Sequence, residues 1–261
     1  MNDLGGSIEG TGTDDEPAAA VAAEIVEAGG VAVADTSDVA TPAGAAQLVE
    51  TAISQLGRVD IVVNNAGIMQ WAGFPEADET NLARHLAVHV GGAFNTTRAA
   101  WPHFVAQQYG RVVMTTSSGV FGLPKNLAYA TAKGGVIGLT RSLATAGAAS
   151  GIKVNLIAPA AFTRMAGPAG PGTDRMPPEL VAPMAAFLAH EDCPVTGEIY
   201  AAGAGRFARI FIASTDGWVA PSPEPTIEDV AANWATINDE RDYYVPADLM
   251  SWSAEFMKHL H

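Results

Sequence analysis

The stretch SSGVFGLPKNLAYATAKGG sets Tyr129 and Lys133 four residues apart, a spacing that puts both side chains on one face of a helix. A free phenol has a pKa near ~10 and is a poor base at neutral pH, so a tyrosine used for proton transfer needs a neighbouring cation to favour its phenolate. Lys133 could supply that cation. Ser117 and Ser118 stand just before the helix, at the end of an apolar run, where hydroxyls can also serve a reacting group. Each feature has a plainer reading. Tyr and Lys at this spacing occur as an ordinary surface pair on a helix, and serines cap the turn after a strand.

Other motifs surround this one. NNAG (Asn64 to Gly67) follows a second apolar run, TSDV brings Asp38 and Val39 to the start of a helix, and APAAFT (Ala158 to Thr163) follows a third run. A glycine pattern, G-x-x-x-G-x-G, falls on Gly6, Gly10 and Gly12 near the start. To act together, such segments must be gathered at one end of a sheet. Apolar β-rich runs alternate with Ala-rich helical stretches, the pattern of a parallel sheet covered by helices on both faces. The strands are predicted at Val31–Asp35, Val59–Asn65, Arg111–Thr116, Lys153–Ala158 and Glu198–Gly203. Helices are predicted from Pro17 to Gly29, from Thr41 and Pro42 to Gly57, and from about Asp78 to Gln108 with disturbances at Gly91, Gly92 and Pro102. The Gly- and Pro-rich segment from Ala160 to Pro178 reads either as a lid over a strand end or as a plain surface connection. Beyond Gly205 the alternation stops. The capping-box sequence TIED (Thr226 to Asp229) opens a helix running to about Ile237, and a last helix is predicted around Pro246 to Leu260. The reading is therefore a domain over residues 1–205 with residues 206–261 as an appendage of that domain.

The serine pair, the Tyr-x-x-x-Lys helix and NNAG stand in the order, and on the elements, seen in short-chain dehydrogenases and reductases, which this sequence resembles over roughly Met1 to Gly205. GEIYAAGAG resembles that family's last strand. The resemblance implies a Rossmann-like doubly wound parallel sheet and an oxidoreductase that interconverts a secondary alcohol and a ketone with NAD. By the same likeness Tyr129 is the general acid/base, and Lys133 lowers its pKa and holds the nicotinamide ribose. Ser117, with Ser118 as the alternative, then donates to the substrate oxygen. The cofactor contacts it implies are Asp3, Asp38, Val39, Asn65, Ala66, Gly67, Tyr129, Lys133 and Thr163. Gly67 lacks a side chain to obstruct a dinucleotide, although Asn and Gly are also common in strand-end turns. Asp38 and Val39 read equally as a plain acidic loop before a helix. The family's usual glycine after the strand proline is Ala160 here. Where many members carry a proton-relay Asn on the central helix this chain has His89, which reads either as a relay or as a satisfied helix histidine.

Within the family, NDLGG, RAAWPHF, APAAFTRM and TIEDVAANW resemble the β-hydroxyacyl-CoA dehydrogenase unit of peroxisomal multifunctional enzymes and their bacterial relatives. That likeness implies a 3-hydroxyacyl-CoA or steroid-like substrate and a homo-oligomer. In those relatives NDLGG ends the second strand and the cofactor's glycine loop lies earlier, so Gly6, Gly10 and Gly12 are read as a look-alike. Physical arguments agree: only four residues precede Gly5, and Asp14, Asp15 and Glu16 place negative charge where a pyrophosphate would sit. The expectation is a fold entered partway, without its first strand and helix. Asp3 remains at the position that grips the adenosine ribose and favours NAD over NADP. A second reading is a remnant without cofactor, acting as a binding or assembly partner.

Composition narrows the classes further. A net charge of -14 with 14 Lys and Arg argues against nucleic acid or an anionic membrane as partner. The lone Cys193 permits no internal disulfide, and no metal-ligand cluster stands out. The sequence predicts a cytoplasmic protein with a small-molecule substrate.

Overall fold

Local end signals place the helices. Thr41 accepts the Gly44 N–H through its side chain ahead of Pro42, and Gly57 closes the helix at φ 87°, which bounds α2 (Pro42–Leu56). Before it, α1 (Glu16–Glu27) begins with Pro17 in its first turn. These elements belong to a computed structural model that describes residues 1–166 and 169–260. The chain divides into two compact units, Met1–Arg209 and Ile210–His261.

The first unit is built on a five-stranded sheet in the order β1 (Ile61–Asn64), β2 (Gly110–Thr115), β3 (Ile152–Pro159), β4 (Ile199–Gly203), β5 (Arg206–Ile210). β1 to β4 pair in parallel, with Asn64 beside Met114, Thr115 beside Ile157 and Ala158 beside Ala201. Every residue of β2 is buried, as expected of a strand covered on both faces. Parallel strands need crossovers, and these are helical. From β1 to β2 the chain runs through α3 (Glu79–His85), a π-helical stretch (Leu86–Gly92) and α4 (Ala93–Gln107). From β2 to β3 it runs through α5 (Leu127–Gly147), which packs along β3. A further helix, α6 (Ala182–Ala189), packs against β2 and β3 and buries Leu188 beside Val113 and Ile157. Because the strands are parallel, the segments after Asn64, Thr115 and Pro159 leave the sheet at one common end.

Val31–Asp35 is not a strand. Its ladder reduces to one bridge, Asn2 to Asp35, with the Met1 amino group donating to the Val33 carbonyl, and Val31 is 81% exposed. Its neighbour over this stretch is the short segment Met1–Asp3, so β-branched composition alone does not sustain a ladder here. β5, in turn, lies beyond the point where the alternating pattern ends. The lid candidate includes Gly167 and Pro168, which lie outside the described residues. On either side of them stand short 3-10 turns, Arg164–Ala166 and Thr173–Arg175.

In the second unit a two-residue antiparallel pair, β6 (Ser214–Thr215) with β7 (Tyr243–Tyr244), accompanies α7 (Ile227–Ala232), α8 (Trp234–Ile237) and α9 (Leu249–Phe256). Thr226 and Asp229 form the capping box that TIED predicts. No residue of these helices is buried.

Candidate active site

Three loops at the common strand end carry Asn65, Ala66 and Gly67, Ser117, and Thr163. Ser117 caps the 3-10 turn Ser118–Phe121 by accepting the Gly119 N–H, and its side chain lies beside the Tyr129 hydroxyl, where it acts to lower that phenol's pKa. Ser118 is exposed, so the structure brings Ser117 to the tyrosine and leaves Ser118 outside the pair. Gly119 is required beneath them. A Cβ there would stand 2.5 Å from the buried Asn126 amide nitrogen and 3.3 Å from Ser117 Oγ.

Lys133 follows Tyr129 on α5 and is 3% exposed, with Nζ 5.5 Å from the phenol ring centroid and donating to the Thr115 carbonyl at 2.8 Å. Burial pushes its amine down to about 7. Burial also pushes the Tyr129 phenol up, against which the Ser117 hydrogen bond acts. A phenolate beside an ammonium holds the same number of protons as a phenol beside an amine. The pair therefore sheds its first proton near 7 and can then accept one from a substrate hydroxyl.

Two imidazoles complete the wall. His89 packs edge-on to the Tyr129 ring at 5.2 Å, and His85, also edge-on, at 6.3 Å; the two imidazoles stack at 5.9 Å. His89 Nε2 lies 2.9 Å from the Ile68 carbonyl and 3.3 Å from the Ile68 N–H, so it donates to the first or accepts from the second according to its tautomer, and the buried Nδ1 has no partner among the described residues. Burial, with Lys133 adding repulsion, pushes His89 down to about 3. It is a neutral imidazole at any physiological pH. His85 donates from Nδ1 to the Asn81 carbonyl and accepts the Gln70 N–H on Nε2. Sequence reasoning missed His85. Its signal was the four-residue spacing to His89, which the π-helical stretch beginning at Leu86 alters, a feature that recurs at functional sites.

NNAG runs directly into this wall. A Cβ on Gly67 would come within 2.6 Å of His89 Cε1, so the histidine itself accounts for the glycine. Asn65 and Ala66 are exposed, and Asn65 Oδ1 accepts a hydrogen bond from Thr115. Thr163 is exposed and accepts the Met165 N–H. Asp38 accepts the Ala40 N–H, and Val39 packs over Gly92. Asp3, farther along the sequence from the strand ends, accepts the Gly5 N–H, and its own N–H donates to the Asp35 carbonyl.

Whether these residues fit a dinucleotide differs along its length. Tyr129, Lys133 and Thr163 at the strand ends offer a phenol, an amine and a hydroxyl suited to a ribose and a carboxamide. At the start of α1, Asp15, which makes no side-chain cap, and Glu16 put carboxylates at the helix N-terminus, which does not fit a pyrophosphate.

A parallel sheet with a serine, a tyrosine and a buried lysine gathered beyond its strand ends is an arrangement that can exchange a proton with a substrate oxygen. Comparison with known proteins makes this specific. The short chain dehydrogenase family model matches residues 4–171. A protein of Mycobacterium tuberculosis named as a short-chain type dehydrogenase/reductase is 43% identical over 92% of this chain and 84% of its own. The peroxisomal multifunctional enzyme type 2 of Mus musculus is 36% identical over the whole chain, which spans 36% of that protein's length. The solved full-length peroxisomal multifunctional enzyme type 2 of Drosophila melanogaster superposes with a TM-score of 0.82 at 31% identity, over 94% of this chain and 44% of that one. The chain belongs to the short-chain dehydrogenase family and is an oxidoreductase. No helix among the described residues is long and apolar enough to cross a membrane.

Proposed function

We propose that the chain oxidises a secondary alcohol to a ketone with NAD, and that the substrate is a 3-hydroxyacyl-CoA or a steroid-like alcohol. The observation that carries this reading is the convergence of Ser117, Tyr129 and the buried Lys133, whose Nζ lies 5.5 Å from the phenol ring centroid. Bound NAD would supply the hydride acceptor. Ser117 and Tyr129 orient the substrate oxygen between their hydroxyls, and Tyr129 takes its proton in the singly deprotonated state shared with Lys133. Lys133, Thr163 and the backbone of Asn65 and Ala66 would hold the nicotinamide half, with Asp3, Asp38 and Val39 at the adenosine. Asp3 supports NAD over NADP, since a carboxylate repels a 2′-phosphate.

The apolar substrate class is supported by the rim of the site. Ala72 bridges to Asn126, so the loops 71–74 and 121–126 run side by side, and they present Trp71, Phe74 (81% exposed), Phe121 (74%) and Leu123 to solvent. These side chains suit an acyl chain or a ring system better than a sugar. Gly134 and Gly138 on α5 face open space, and Phe94 is about half exposed; both features support a homo-oligomer. The buried, unbridged Cys193 supports a cytoplasmic setting.

A second reading, a binding partner without cofactor, is favoured by the carboxylates at the start of α1. One assay separates the two. Purified chain is offered NAD with a panel of 3-hydroxyacyl-CoA thioesters, hydroxysteroids and sugar alcohols. The dehydrogenase reading requires NADH production from an apolar secondary alcohol that disappears in Tyr129→Phe, while a folded chain inert across the panel supports the partner reading.

A further inference from the structure

The glycine pattern near the start of the chain is left without a role once it is read as a look-alike, yet it is an ordered loop. Ser7 and Thr11 close it by backbone and side-chain hydrogen bonds, and Gly5 is fixed there because a Cβ would stand 1.9 Å from the Asp14 carbonyl oxygen. The loop rests on the segment that follows NNAG. The Ile8 carbonyl accepts the Met69 N–H at 2.8 Å, and Gly10, at φ +74°, lies so close to Ile68 that a Cβ would come within 2.6 Å of its Cγ2. Arg84 ties the loop down from α3, donating through Nη2 to the Glu9 carbonyl at 2.6 Å and the Gly10 carbonyl at 3.3 Å.

On its other side the same segment is held by the two imidazoles. His89 Nε2 meets the backbone of Ile68 at both its carbonyl and its N–H, His85 accepts the Gln70 N–H, and both rings stand edge-on to Tyr129. Residues 68–70 are thus gripped between the glycine loop and the two rings that border the phenol. We propose that the Gly5–Gly12 loop, tethered by Arg84, is a positioning element that sets the Tyr129 ring through Ile68 and His89, and is not a phosphate cradle. The proposal rests on Tyr129 being the acid/base of the dehydrogenase. Arg84, Gly10 and His89 are positioning residues in this arrangement, and displacements of a fraction of an ångström at a proton-transfer group are costly.

Arg84→Ala cuts the tether and Gly10→Ala lifts the loop from Ile68 with no change of charge; Arg84→Lys restores one donor. The chain is labelled at tyrosine Cζ and titrated by NMR, with the Tyr129 signal assigned by its absence in Tyr129→Phe, and the groups facing that ring are Lys133, His85 and His89. The expected result is a moved Tyr129 signal whose titration falls toward that of an ordinary tyrosine in both alanine variants, partly restored in Arg84→Lys. In turnover the alanine variants lose about 10-fold in kcat, with KM for NAD and for the alcohol within about twofold. An unchanged Tyr129 signal in every folded variant overturns the proposal, and so does a raised KM for NAD at unchanged kcat, which is the mark of a phosphate cradle. If one alanine variant does not fold, the other decides. If the wild type turns nothing over, the dehydrogenase reading fails, and the NMR arm still shows whether the loop sets the ring.

Discussion

At the end proposed for proton transfer Lys133 and His89 are each about 3% exposed and each contacts a backbone carbonyl, whereas at the end proposed for the adenosine Asp3 lies at the surface and Asp38 half-buried, their carboxylates accepting N–H groups two residues along their own turns. The first end is fixed by burial and would meet a cofactor ready-made. The second is fixed by local turns near the surface. Burial has a cost that turns do not: it keeps an amine and an imidazole in surroundings that disfavour their charged forms. The difference makes one end sensitive to pH and the other sensitive to ligand chemistry.

The largest expected effects therefore concern stability against pH at the buried end. His89 is pushed to about 3 in the folded chain, below its ordinary 6.5, so the unfolded chain binds the extra proton between these values. The resulting stability is present above pH 6.5 and is lost as pH falls toward 3, on the order of 4–5 kcal/mol in full. Urea unfolding across that range should show His89→Gln losing less stability than the wild type, and parallel curves would break the contrast. For Lys133, at about 7 against an ordinary 10.5, the unfolded chain again binds more protons in between, so this group's contribution rises with pH from 7 to 10.5. Lys133→Met should accordingly be more stable than the wild type at neutral pH, by up to about 4 kcal/mol, while losing turnover. A destabilised variant would mean that the Thr115 hydrogen bond outweighs the desolvation.

Next in size is Tyr129→Phe, expected to lower kcat about 10³-fold, roughly 4 kcal/mol, with NAD affinity changed less than twofold. Retained turnover would move the acid/base role elsewhere. At the surface end, Asp3→Ala should cost about 10-fold in NAD affinity and relax the preference over NADP, read by competition between the two cofactors. Thr163→Ala comes last, at about two- to threefold in KM for NAD; a larger loss would show that the nicotinamide leans on this exposed hydroxyl.

Much of this division can be read from residue order, and the exceptions have physical causes. Tyr129 and Lys133 were legible because an i, i+4 pair on a helix is a local pattern, and Thr41, Pro42 and Gly57 were legible because end signals are local too. Val31–Asp35 misled because a β-branched run reports propensity, while a strand also needs a neighbour along its length. His89 was legible as a helix histidine, but its pairing with His85 was hidden because it depends on a π-helical stretch and on backbone contacts from residues 68–70 of another segment. Gly67 has a further constraint that residue order does not show, the His89 imidazole 2.6 Å from where a Cβ would stand. The different placement of Ser117 and Ser118 comes from the turn that leaves the first half-buried beside Tyr129 and the second exposed.

The measurement that bears most directly on the account is calorimetric titration of NAD into the 261-residue chain and into its Tyr129→Phe and Lys133→Met variants. The account predicts saturable binding near one to one in the wild type and in Tyr129→Phe, weakened in Lys133→Met. A folded wild-type chain that gives no binding heat with NAD, at temperatures chosen to expose a heat-capacity change, would contradict it.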